Sequence, residues 1–366
     1  MGKETAAAIG RWAALQSHPV RPRLTAVCDS NPAVLSWFER IESVRLLSTD
    51  YRELLRDDRV EVVYIAVPHH LHAELYLAAI EAGKDFLGEK PFGIDLPAAE
   101  RILQALEDRA DLFVRCSSEM PYFPGAQLAV RIIRSGALGR VIEAGSAFLH
   151  SSDLDLEKPV NWKRQARYCG RIGVLGDLGM HALHLPYKVG WHPSKVYAVL
   201  QDLVPERPGP DGMPVPCDTI ENATLICAVD SSPEGDFPLT VETKRIAPGE
   251  MNTWRVRVVG MSGGVEFSTA HPKTVLRFLV REGEQVWERV ETGSQSVFPT
   301  VTGGIFEFGF SDAVLQMWAA FLAERAGTLG DAFPCVTPAE AVAAHRLFDA
   351  ALRSADSGRA EPVPSG

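Results

Sequence analysis

The sequence has no long hydrophobic run, no run of like charges and no closely paired cysteines. Its apolar stretches fall short of the roughly 18 to 20 residues that a membrane helix needs, and its N-terminus lacks the basic and apolar regions of a signal peptide. The 37 basic and 47 acidic residues give a net charge of −10 without a Lys/Arg stripe, which argues against a polyanionic partner. We therefore expect a cytoplasmic protein that binds neither membrane nor nucleic acid.

The cysteines do not have the C-x-x-C pairs or the regular spacing of a zinc site or a disulfide framework. We expect six reduced thiols, at Cys28, Cys116, Cys169, Cys217, Cys227 and Cys335, and no metal site. The length of 366 residues exceeds the roughly 250 to 300 at which a single core stops growing, so it predicts two domains. We place them at residues 1–120 and 121–354, followed by a frayed tail over 355–366.

The first third of the chain alternates short apolar runs with helical periodicity, which predicts a doubly wound parallel sheet. The predicted strands are 24–28, 60–67, 85–87 and 112–116, and the predicted helices are 32–41, 72–82 and 96–110. The run 62–67, Val-Val-Tyr-Ile-Ala-Val, is continuous and β-rich, as expected of a strand that is buried on both faces.

The pattern changes after Tyr122, where strand-like runs follow one another without helices between them. The predicted strands are 141–150, 195–203, 223–229, 239–245, 253–260, 265–268, 275–281 and 285–291, a series that predicts an antiparallel sheet. The segment 204–218 is rich in Pro and Gly and predicts a loop. Two helices close the chain, at 312–327 and, behind the capping signal Thr337-Pro338-Ala339-Glu340, up to about residue 354.

An acidic residue, Asp29, directly follows the first predicted strand. A dinucleotide-binding fold places an acid there to accept hydrogen bonds from the adenosine ribose hydroxyls. The carboxylate would repel a ribose phosphate and the next residue, Ser30, offers no guanidinium to receive one, so the position favours NAD over NADP. In the alternative, Asp29 caps the turn Asp29-Ser30-Asn31-Pro32 through its side chain.

Polar residues also follow the next two strands. The buried strand ends in Val67-Pro68-His69-His70-Leu71-His72, where open parallel sheets bind ligands, but no Cys or carboxylate stands there at the spacing of a metal site. The following strand ends in Gly88-Glu89-Lys90-Pro91-Phe92-Gly93, which holds Lys90 between an acid and a proline. Its ammonium can hydrogen-bond a substrate oxygen and favour alkoxide character in the transition state. The alternative is a surface Glu-Lys pair before a helix.

The strongest local pattern is Gly176-Asp177-Leu178-Gly179-Met180-His181, which opens a segment with helical character up to Leu185. Asp177 and His181 are four residues apart, so a helix puts them on one face. A carboxylate beside an imidazole raises the imidazole pKa and fixes its orientation, which suits proton transfer near neutral pH. The alternative is an unrelated Asp and His on a helix surface.

These segments, in this order and at these distances, resemble the glucose-fructose oxidoreductase / inositol dehydrogenase / rhizopine catabolism (Gfo/Idh/MocA) family. The E-K-P and D-x-x-x-H patterns are quite specific together, and the likeness extends from Asp29 to the closing helix. The resemblance implies an α/β, Rossmann-like N-terminal domain with a parallel sheet and an α+β C-terminal domain with a large open antiparallel sheet. That sheet often serves as the oligomer interface, so we expect a dimer or tetramer.

The resemblance also implies a nicotinamide cofactor and makes Lys90, Asp177 and His181 the catalytic group. His181 would take the hydroxyl proton while hydride leaves the same carbon for nicotinamide C4, and Lys90 would stabilise the oxygen. The expected cofactor contacts are Gly2, Asp29, Ser30, Val67, Pro68, His72, Glu89 and Lys90. The expected substrate contacts are Tyr122, Trp162, Lys163, Arg164, Tyr168 and His184.

The N-terminus departs from the family pattern, which opens with an apolar strand and a G-x-G-x-x-G/A loop. Residues 1–9 resemble the end of that loop running into the first helix, so that Gly2 matches its last glycine. The missing piece of roughly a dozen residues contains the central strand of the order 3-2-1-4-5-6, and its loss leaves two neighbouring strands with unpaired backbone groups. We expect Met1 to be an internal methionine with the native start upstream. His184 stands where many relatives carry an Asp.

The sequence therefore predicts an NAD-dependent dehydrogenase or reductase that acts on a hydroxyl of a sugar, a cyclitol or a related polyol. One alternative is an enzyme that oxidises its substrate transiently, eliminates or hydrolyses a glycosidic bond and recycles its NAD. Another is a non-catalytic binding or assembly subunit that kept the fold and lost its nucleotide loop. Many polyols fit a pocket of Trp, Tyr, Lys and Arg, so the sequence names no single substrate.

Overall fold

The structure is a computed structural model, and it describes residues 1–230, 232 and 235–365. The helices are α1 (Gly2–Gly10), α2 (Pro32–Leu35), α3 (Tyr51–Arg56), α4 (His72–Glu81), α5 (Leu96–Glu107), α6 (Pro124–Arg134), α7 (Ala166–Cys169), α8 (Gly173–Lys188), α9 (Phe310–Arg325) and α10 (Pro338–Ser357). The strands of the first third are β1 (Ala26–Cys28), β2 (Leu46–Ser48), β3 (Val62–Ile65), β4 (Asp85–Gly88) and β5 (Val114–Cys116). The later strands are β6 (Val141–His150), β7 (Pro193–Gln201), β8 (Glu206–Pro208), β9 (Pro214–Pro216), β10 (Asn222–Val229), β11 (Phe237–Lys244), β12 (Asn252–Gly260), β13 (Gly263–Ser268), β14 (Thr274–Leu279), β15 (Glu288–Glu291) and β16 (Glu361–Pro362).

The first third forms the predicted parallel strands, divided into two ladders. Strand β1 pairs with β2, and β3 pairs with β4, which pairs with β5, all in parallel. Within the described part of the chain, no ladder joins β1 to β3. The strand order is that of a Rossmann sheet from which the central first strand is missing, as the sequence predicts.

The elements that the sequence did not predict in this part are β2 and α3, and α6 was not predicted in the segment that follows. Strand β2 has only three residues, too few to show a periodicity. The predicted helix at 32–41 is divided into α2 and the 3₁₀ turn Ser36–Arg40. Asn31 accepts a hydrogen bond from the Ala33 amide and so caps α2, and Pro32 stands at the first turn, where a missing amide costs nothing.

The rest of the strands, apart from β8 and β9, form one nine-stranded sheet in the order β15-β14-β13-β12-β6-β11-β10-β7-β16. The predicted antiparallel arrangement is wrong at one place, because β6 and β11 run parallel, with Ala144 opposite Leu239 and Leu149 opposite Lys244. The reason is topological. The chain leaves β6, forms α7 and α8, and returns through β7 and β10 before β11 lies beside β6, so that no hairpin fixes their relative direction.

Two further predictions need correction. The predicted loop at 204–218 contains the short antiparallel hairpin of β8 and β9. The predicted frayed tail is ordered over 355–365, because β16 adds to the edge of the sheet with Glu361 opposite Val196. Helix α10 ends at Ser357 and is followed by Gly358, whose φ of 64° is a left-handed conformation that suits glycine and turns the chain back towards this edge.

Helix α8 is surrounded by other elements on all sides. It contacts β6, β10, β11 and β12 of the large sheet as well as α10, and every residue from Gly173 to Tyr187 is buried. Gly179 permits the close approach of α10, because a Cβ there would lie 2.5 Å from Cζ of Phe348. The side chains of α8 therefore occupy a low-dielectric interior, where unpaired charges are costly.

Helix α10 connects the two parts of the chain. Its N-terminus has the predicted capping box, in which Thr337 and Glu340 each bond the other's backbone. The helix packs against α5 of the first part and against α8 and β7 of the second, and one continuous hydrophobic core includes residues of both. The domain boundary near residue 120 stays a prediction.

Candidate active site

A cavity of about 750 Å³ lies where the ends of β3 and β4 meet α8 and the large sheet. Carboxyl ends of parallel strands are where open α/β sheets bind ligands. Its lining includes Val67 and Pro68 after β3, Glu89 and Lys90 after β4, Asp177 and His181 of α8, Phe148 and His150 of β6, and Arg245 after β11.

The Asp177 carboxylate holds three cations. Lys90 Nζ donates to Asp177 Oδ1 at 2.8 Å and to the Asp177 carbonyl oxygen at 2.6 Å. Lys163 Nζ donates to the same Oδ1 at 2.9 Å, and the Arg245 guanidinium donates to Oδ2. Asp177 is thus the shared ion-pair partner of three cationic side chains at the cavity wall.

These cations have perturbed pKa values. Burial lowers the pKa of Lys90 from 10.5, against the opposing effect of nearby Glu89 and Glu119. Burial, followed by repulsion from Lys90 and Arg245, lowers the pKa of Lys163 well below its usual value. A lysine whose pKa moves towards neutrality can exchange protons with a ligand, and such perturbed groups are typical of functional sites.

His181 does not pair with Asp177 as the four-residue spacing predicted. Its Nδ1 lies 3.2 Å from Ser118 Oγ and 3.8 Å from Glu119 Oε2, whereas both Asp177 oxygens are taken by cations. The expected rise in the imidazole pKa is also wrong. Burial and, next, the positive charge of Lys90 lower the pKa of His181 well below 6.5, so the ring is a neutral base at physiological pH.

The orientation of His181 is fixed from several directions. The indole Nε1 of Trp254 donates to the His181 carbonyl oxygen at 2.8 Å, and the Phe148 ring meets the imidazole edge-on at a centroid distance of 5.1 Å. No hydrogen bond to Nε2 is found among the described residues. With Nδ1 turned to Ser118, the unshared nitrogen is free for a ligand in the cavity.

A buried ion network lies behind Asp177. Asp153 accepts a hydrogen bond from Lys158 at 2.9 Å and pairs with Arg164 at 3.3 Å and with Arg245 at 3.9 Å. Arg164 is fully buried between Asp153 and Glu221. The prediction that Arg164 is a wall of the substrate pocket is therefore wrong, because its guanidinium neutralises two interior carboxylates instead of facing the cavity.

The other predicted substrate contacts fall into two groups. Trp162 and Lys163 line the cavity, at the 3₁₀ turn Trp162–Arg164. Tyr122, Tyr168 and His184 do not line it. Tyr122 is in the core, where its hydroxyl lies 3.2 Å from Cys335 Sγ, and Tyr168 packs against His70 at 5.1 Å.

His184, the third residue of that group, lies on the buried helix α8 about one turn beyond His181. Its Nε2 lies 3.0 Å from the Pro334 carbonyl oxygen, and its ring packs against Phe333. The His in place of the family's Asp therefore does not line the cavity itself.

Among the predicted cofactor contacts, Val67, Pro68, Glu89 and Lys90 line the cavity. His72 does not, because it is fully buried at the start of α4. Its two ring nitrogens lie 2.6 Å from the Pro91 carbonyl oxygen and 2.9 Å from that of Val67, so it ties the two strand ends together. Its part in the site is to hold the loops that form the wall.

The remaining predicted cofactor contacts, Gly2, Asp29 and Ser30, lie outside the cavity lining. Gly2 is the first residue of α1, and the preceding Met1 lines the cavity, so the N-terminal end of this helix borders it. Asp29 directly follows β1, and its Oδ1 accepts from the Asn31 amide at 2.8 Å, which is the turn-capping role of the alternative interpretation. Its second oxygen has no protein hydrogen bond in the described part of the chain, and Ser30 is exposed.

The sequence analysis missed Glu119, His150, Asp153 and Arg245, which also line the cavity. Burial raises the pKa of Glu119 to about 7, with a further rise from Glu89, and burial lowers the pKa of His150 to about 4. Glu119 follows β5, so the rule that ligands bind at strand ends could have found it. Nothing in the local sequence marks the other three, which are brought to the cavity by the large sheet.

The predictions about disulfides, metals and membrane helices can be compared with the described residues as a whole. All six cysteines are free. Across residues 1–230, 232 and 235–365, no group of three or more His, Cys, Asp or Glu side chains is placed to hold a metal ion. None of the helices in the same residues has both the length and the apolar character needed to cross a bilayer.

Comparisons with known proteins identify the family. The family model GFO_IDH_MocA, described as "Oxidoreductase family, NAD-binding Rossmann fold", matches residues 2–115, and the model GFO_IDH_MocA_C3, the "GFO/IDH/MocA C-terminal domain", matches residues 126–266. Together the two matches cover well over half of the chain.

Among curated proteins, the chain is 28% identical over 264 residues to levoglucosan dehydrogenase of Pseudarthrobacter phenanthrenivorans, an alignment that covers 68% of this chain and 66% of that protein. It is 28% identical over 166 residues to trans-1,2-dihydrobenzene-1,2-diol dehydrogenase of Sus scrofa, which covers 44% of this chain and 47% of that one. The chain thus spans slightly less than two thirds and about half, respectively, of these two relatives.

Solved structures share the whole fold. Levoglucosan dehydrogenase in complex with NADH and levoglucosan superposes with a TM-score of 0.88 at 24% identity, covering 100% of this chain and 97% of that one. An NAD-binding oxidoreductase from Klebsiella pneumoniae gives a TM-score of 0.87 at 26% identity, with the same coverage. With both of its family segments matched and its Lys90, Asp177 and His181 gathered in one cavity, the chain belongs to the GFO/IDH/MocA family of NAD-binding oxidoreductases.

Proposed function

We propose that this protein is an NAD-dependent dehydrogenase or reductase that transfers hydride between nicotinamide and a hydroxyl-bearing carbon of a sugar, a cyclitol or a related polyol. The observation that carries the proposal is the convergence of Lys90, Asp177 and His181 on one cavity at the carboxyl ends of parallel strands. The similarity to a levoglucosan dehydrogenase supports a sugar-like substrate.

The residues present fit a dinucleotide. The N-terminal end of α1 borders the cavity, and free backbone amides at a helix N-terminus favour a pyrophosphate. Asp29 would accept from the adenosine ribose through its free oxygen, and its negative charge favours NAD over NADP. Val67, Pro68 and Glu89 would border the nicotinamide half. When bound, the nicotinamide supplies hydride acceptance and donation.

The side chains of the site have distinct parts in the proposed reaction. His181 takes the proton of the substrate hydroxyl at Nε2, because its ring is neutral and its Nδ1 is turned to Ser118. Lys90, held by Asp177, donates a hydrogen bond to the reacting oxygen and stabilises its developing negative charge. Lys163, on the same carboxylate oxygen, gives a second donor for neighbouring hydroxyls.

We also propose that the protein is a homo-oligomer through the outer face of the large sheet. Tyr197, Val199 and Ile226 on this face are 41%, 51% and 53% exposed, and Ile226 is directly opposite Tyr197 in the ladder between β10 and β7. Adjacent exposed apolar side chains on a flat sheet are typical of a protein interface. A second copy of the chain is the partner that the family resemblance implies.

The activity is tested by incubating the protein with NAD and a panel of sugars and cyclitols that includes levoglucosan, and by following the absorbance of NADH. The proposal predicts stoichiometric NADH formation with at least one compound. It also predicts weaker activity with NADP than with NAD, because of Asp29. A folded protein that binds no nicotinamide nucleotide in calorimetry would contradict the proposal.

A further inference from the structure

Four carboxylates line the cavity, and three of them are already committed to other groups. Asp177 holds Lys90, Lys163 and Arg245, Asp153 holds Lys158, and Glu89 accepts the Tyr64 hydroxyl. The fourth, Glu119, is 4% exposed. Within the part of the chain that the structure describes, its side chain forms no salt bridge with a Lys or Arg, and its Oε2 lies 3.8 Å from His181 Nδ1.

Glu119 and Ser118 approach His181 from the same side. They follow β5, on the first part of the chain, whereas His181 belongs to α8, and both contacts are made to Nδ1. An imidazole that accepts a proton at Nε2 must carry its other hydrogen on Nδ1. The imidazolium that then forms is stabilised by an acceptor and a negative charge at that nitrogen.

We propose that Ser118 and Glu119 are positioning residues for His181: the Ser118 hydroxyl accepts the Nδ1 hydrogen, and the Glu119 carboxylate stabilises the imidazolium that forms in the reaction. The inference rests on the proposed function, since it concerns the same proton. When the substrate is oxidised, the hydroxyl O–H bond breaks and its proton moves to Nε2 of His181. The C–H bond breaks with hydride transfer to NAD, and a C=O bond forms.

This assignment changes the part of Asp177. The sequence predicts that Asp177 is the acid that orients His181. In the structure, both oxygens of its carboxylate accept hydrogen bonds from cations instead. The positive charges of the three cations offset the attraction of this carboxylate for an imidazolium at His181. Asp177 therefore positions Lys90, and Glu119 stabilises the imidazolium of His181. The site thus contains two acid–base pairs with different roles.

The charge state of Glu119 depends on its neighbours. The titratable groups that face Glu119 are His181, Tyr64, Glu89, Lys90 and the Met1 amino group, and those that face His181 are Glu119, Lys90, His184, His150 and Lys163. Burial raises the pKa of Glu119 to about 7, with Glu89 as the next cause. Glu119 therefore gains its negative charge near neutral pH, and this ionisation strengthens the basicity of His181 as the pH rises.

The test is ¹⁵N NMR of the histidine rings in the wild-type protein and in Glu119→Gln, which keeps the shape of the side chain and removes its charge. The His181 signals are assigned from their absence in His181→Gln. In wild type we expect the hydrogen on Nδ1 and a shift of the ring signals with a midpoint near the Glu119 pKa of about 7. In Glu119→Gln this step disappears, whereas in the control Glu143→Gln, at an exposed position of β6, it stays.

The proposal would be overturned if the His181 ring signals shifted near pH 7 in Glu119→Gln as they do in wild type. It would also be overturned if the ring hydrogen of His181 were on Nε2 in wild type. Ser118→Ala gives an independent check, since the loss of the acceptor at Nδ1 should move the His181 ring towards the other tautomer. In the kinetic arm, the kcat of Glu119→Gln for sugar oxidation falls by on the order of 100-fold and loses its rise with pH near neutrality. NADH formation by wild type is read in the same assay, so its absence counts against the proposed function, while the NMR result decides the part of Glu119.

Discussion

Replacing Asp177 with Asn tests whether this carboxylate holds the cavity together. The change is nearly isosteric, but it removes the one anion that Lys90, Lys163 and Arg245 share. Asp177 is 4% exposed and Lys90 14% exposed at the side chain, so water replaces the lost partner only in part. Breaking a buried ion pair on one side costs roughly 3 to 5 kcal/mol of unfolding free energy, and we expect Asp177→Asn to lose an amount in this range.

The assay is urea unfolding followed by circular dichroism, with Asp349→Asn as the matched control. Asp349 pairs with Arg353 on the exposed face of α10, where the loss of a pair changes stability by about 1 kcal/mol or less. The difference in unfolding free energy between the wild-type protein and Asp177→Asn should become smaller as the pH rises towards 10. Burial lowers the folded-state pKa of Lys90 below its unfolded value, so the cost of its unpaired charge is full at low pH and is relieved as the folded protein loses that proton. Equal stabilities of Asp177→Asn and Asp349→Asn would refute the reasoning.

Three other changes probe the fold, the cofactor and the assembly. Gly179→Ala puts a Cβ 2.5 Å from the Phe348 ring and should lower the unfolding free energy by about 1 to 3 kcal/mol in thermal melts, with partial rescue by Phe348→Leu. Asp29→Ala should weaken NADH binding roughly 10- to 100-fold in calorimetry, because a charged hydrogen-bond acceptor is lost; unchanged affinity would place the ribose elsewhere. Ile226→Lys should shift the protein to smaller species in light scattering, whereas Met213→Lys, on an exposed hairpin, should not.

The sequence predicts the first part of the fold well because its signals are local. Strand β4 and helix α4 begin at the predicted residues, and the apolar run at 62–67 contains β3, although only Val63 and Ile65 of that strand are buried. Each is fixed by its own periodicity and by the turn that follows. The lack of a ladder between β1 and β3 in the described residues was also predicted, because residues 1–9 resemble the end of the glycine loop and the first helix and not the first strand.

Most strands of the large sheet were predicted, but the direction of one pairing was wrong. Strand β6 has the predicted bounds, Val141–His150, but its parallel pairing with β11 depends on a long crossover. Nothing within either strand indicates the direction of its neighbour, because alternation of apolar residues is the same in both arrangements. The edge strand β16 was missed for a related reason, as two residues have no periodicity.

Within the site, the motifs identified the residues but not their partners. Asp177 and His181 were recognised from their spacing, which places two side chains on one helix face but does not say which other elements meet that face. Lys163 and Arg245 reach Asp177 from distant segments, and Ser118 and Glu119 reach His181. The pKa of His181 then follows burial and Lys90, not the acid one turn away.

The most direct test of the account is the steady-state turnover of His181→Asn with NAD and the best sugar substrate of the wild-type protein. If His181 takes the hydroxyl proton, kcat falls by roughly 100-fold or more while the Kd for NADH is unchanged, since His181 contributes to proton transfer and not to dinucleotide binding. Wild-type turnover by a folded His181→Asn protein would contradict the central claim that Lys90, Asp177 and His181 carry out the reaction in this cavity.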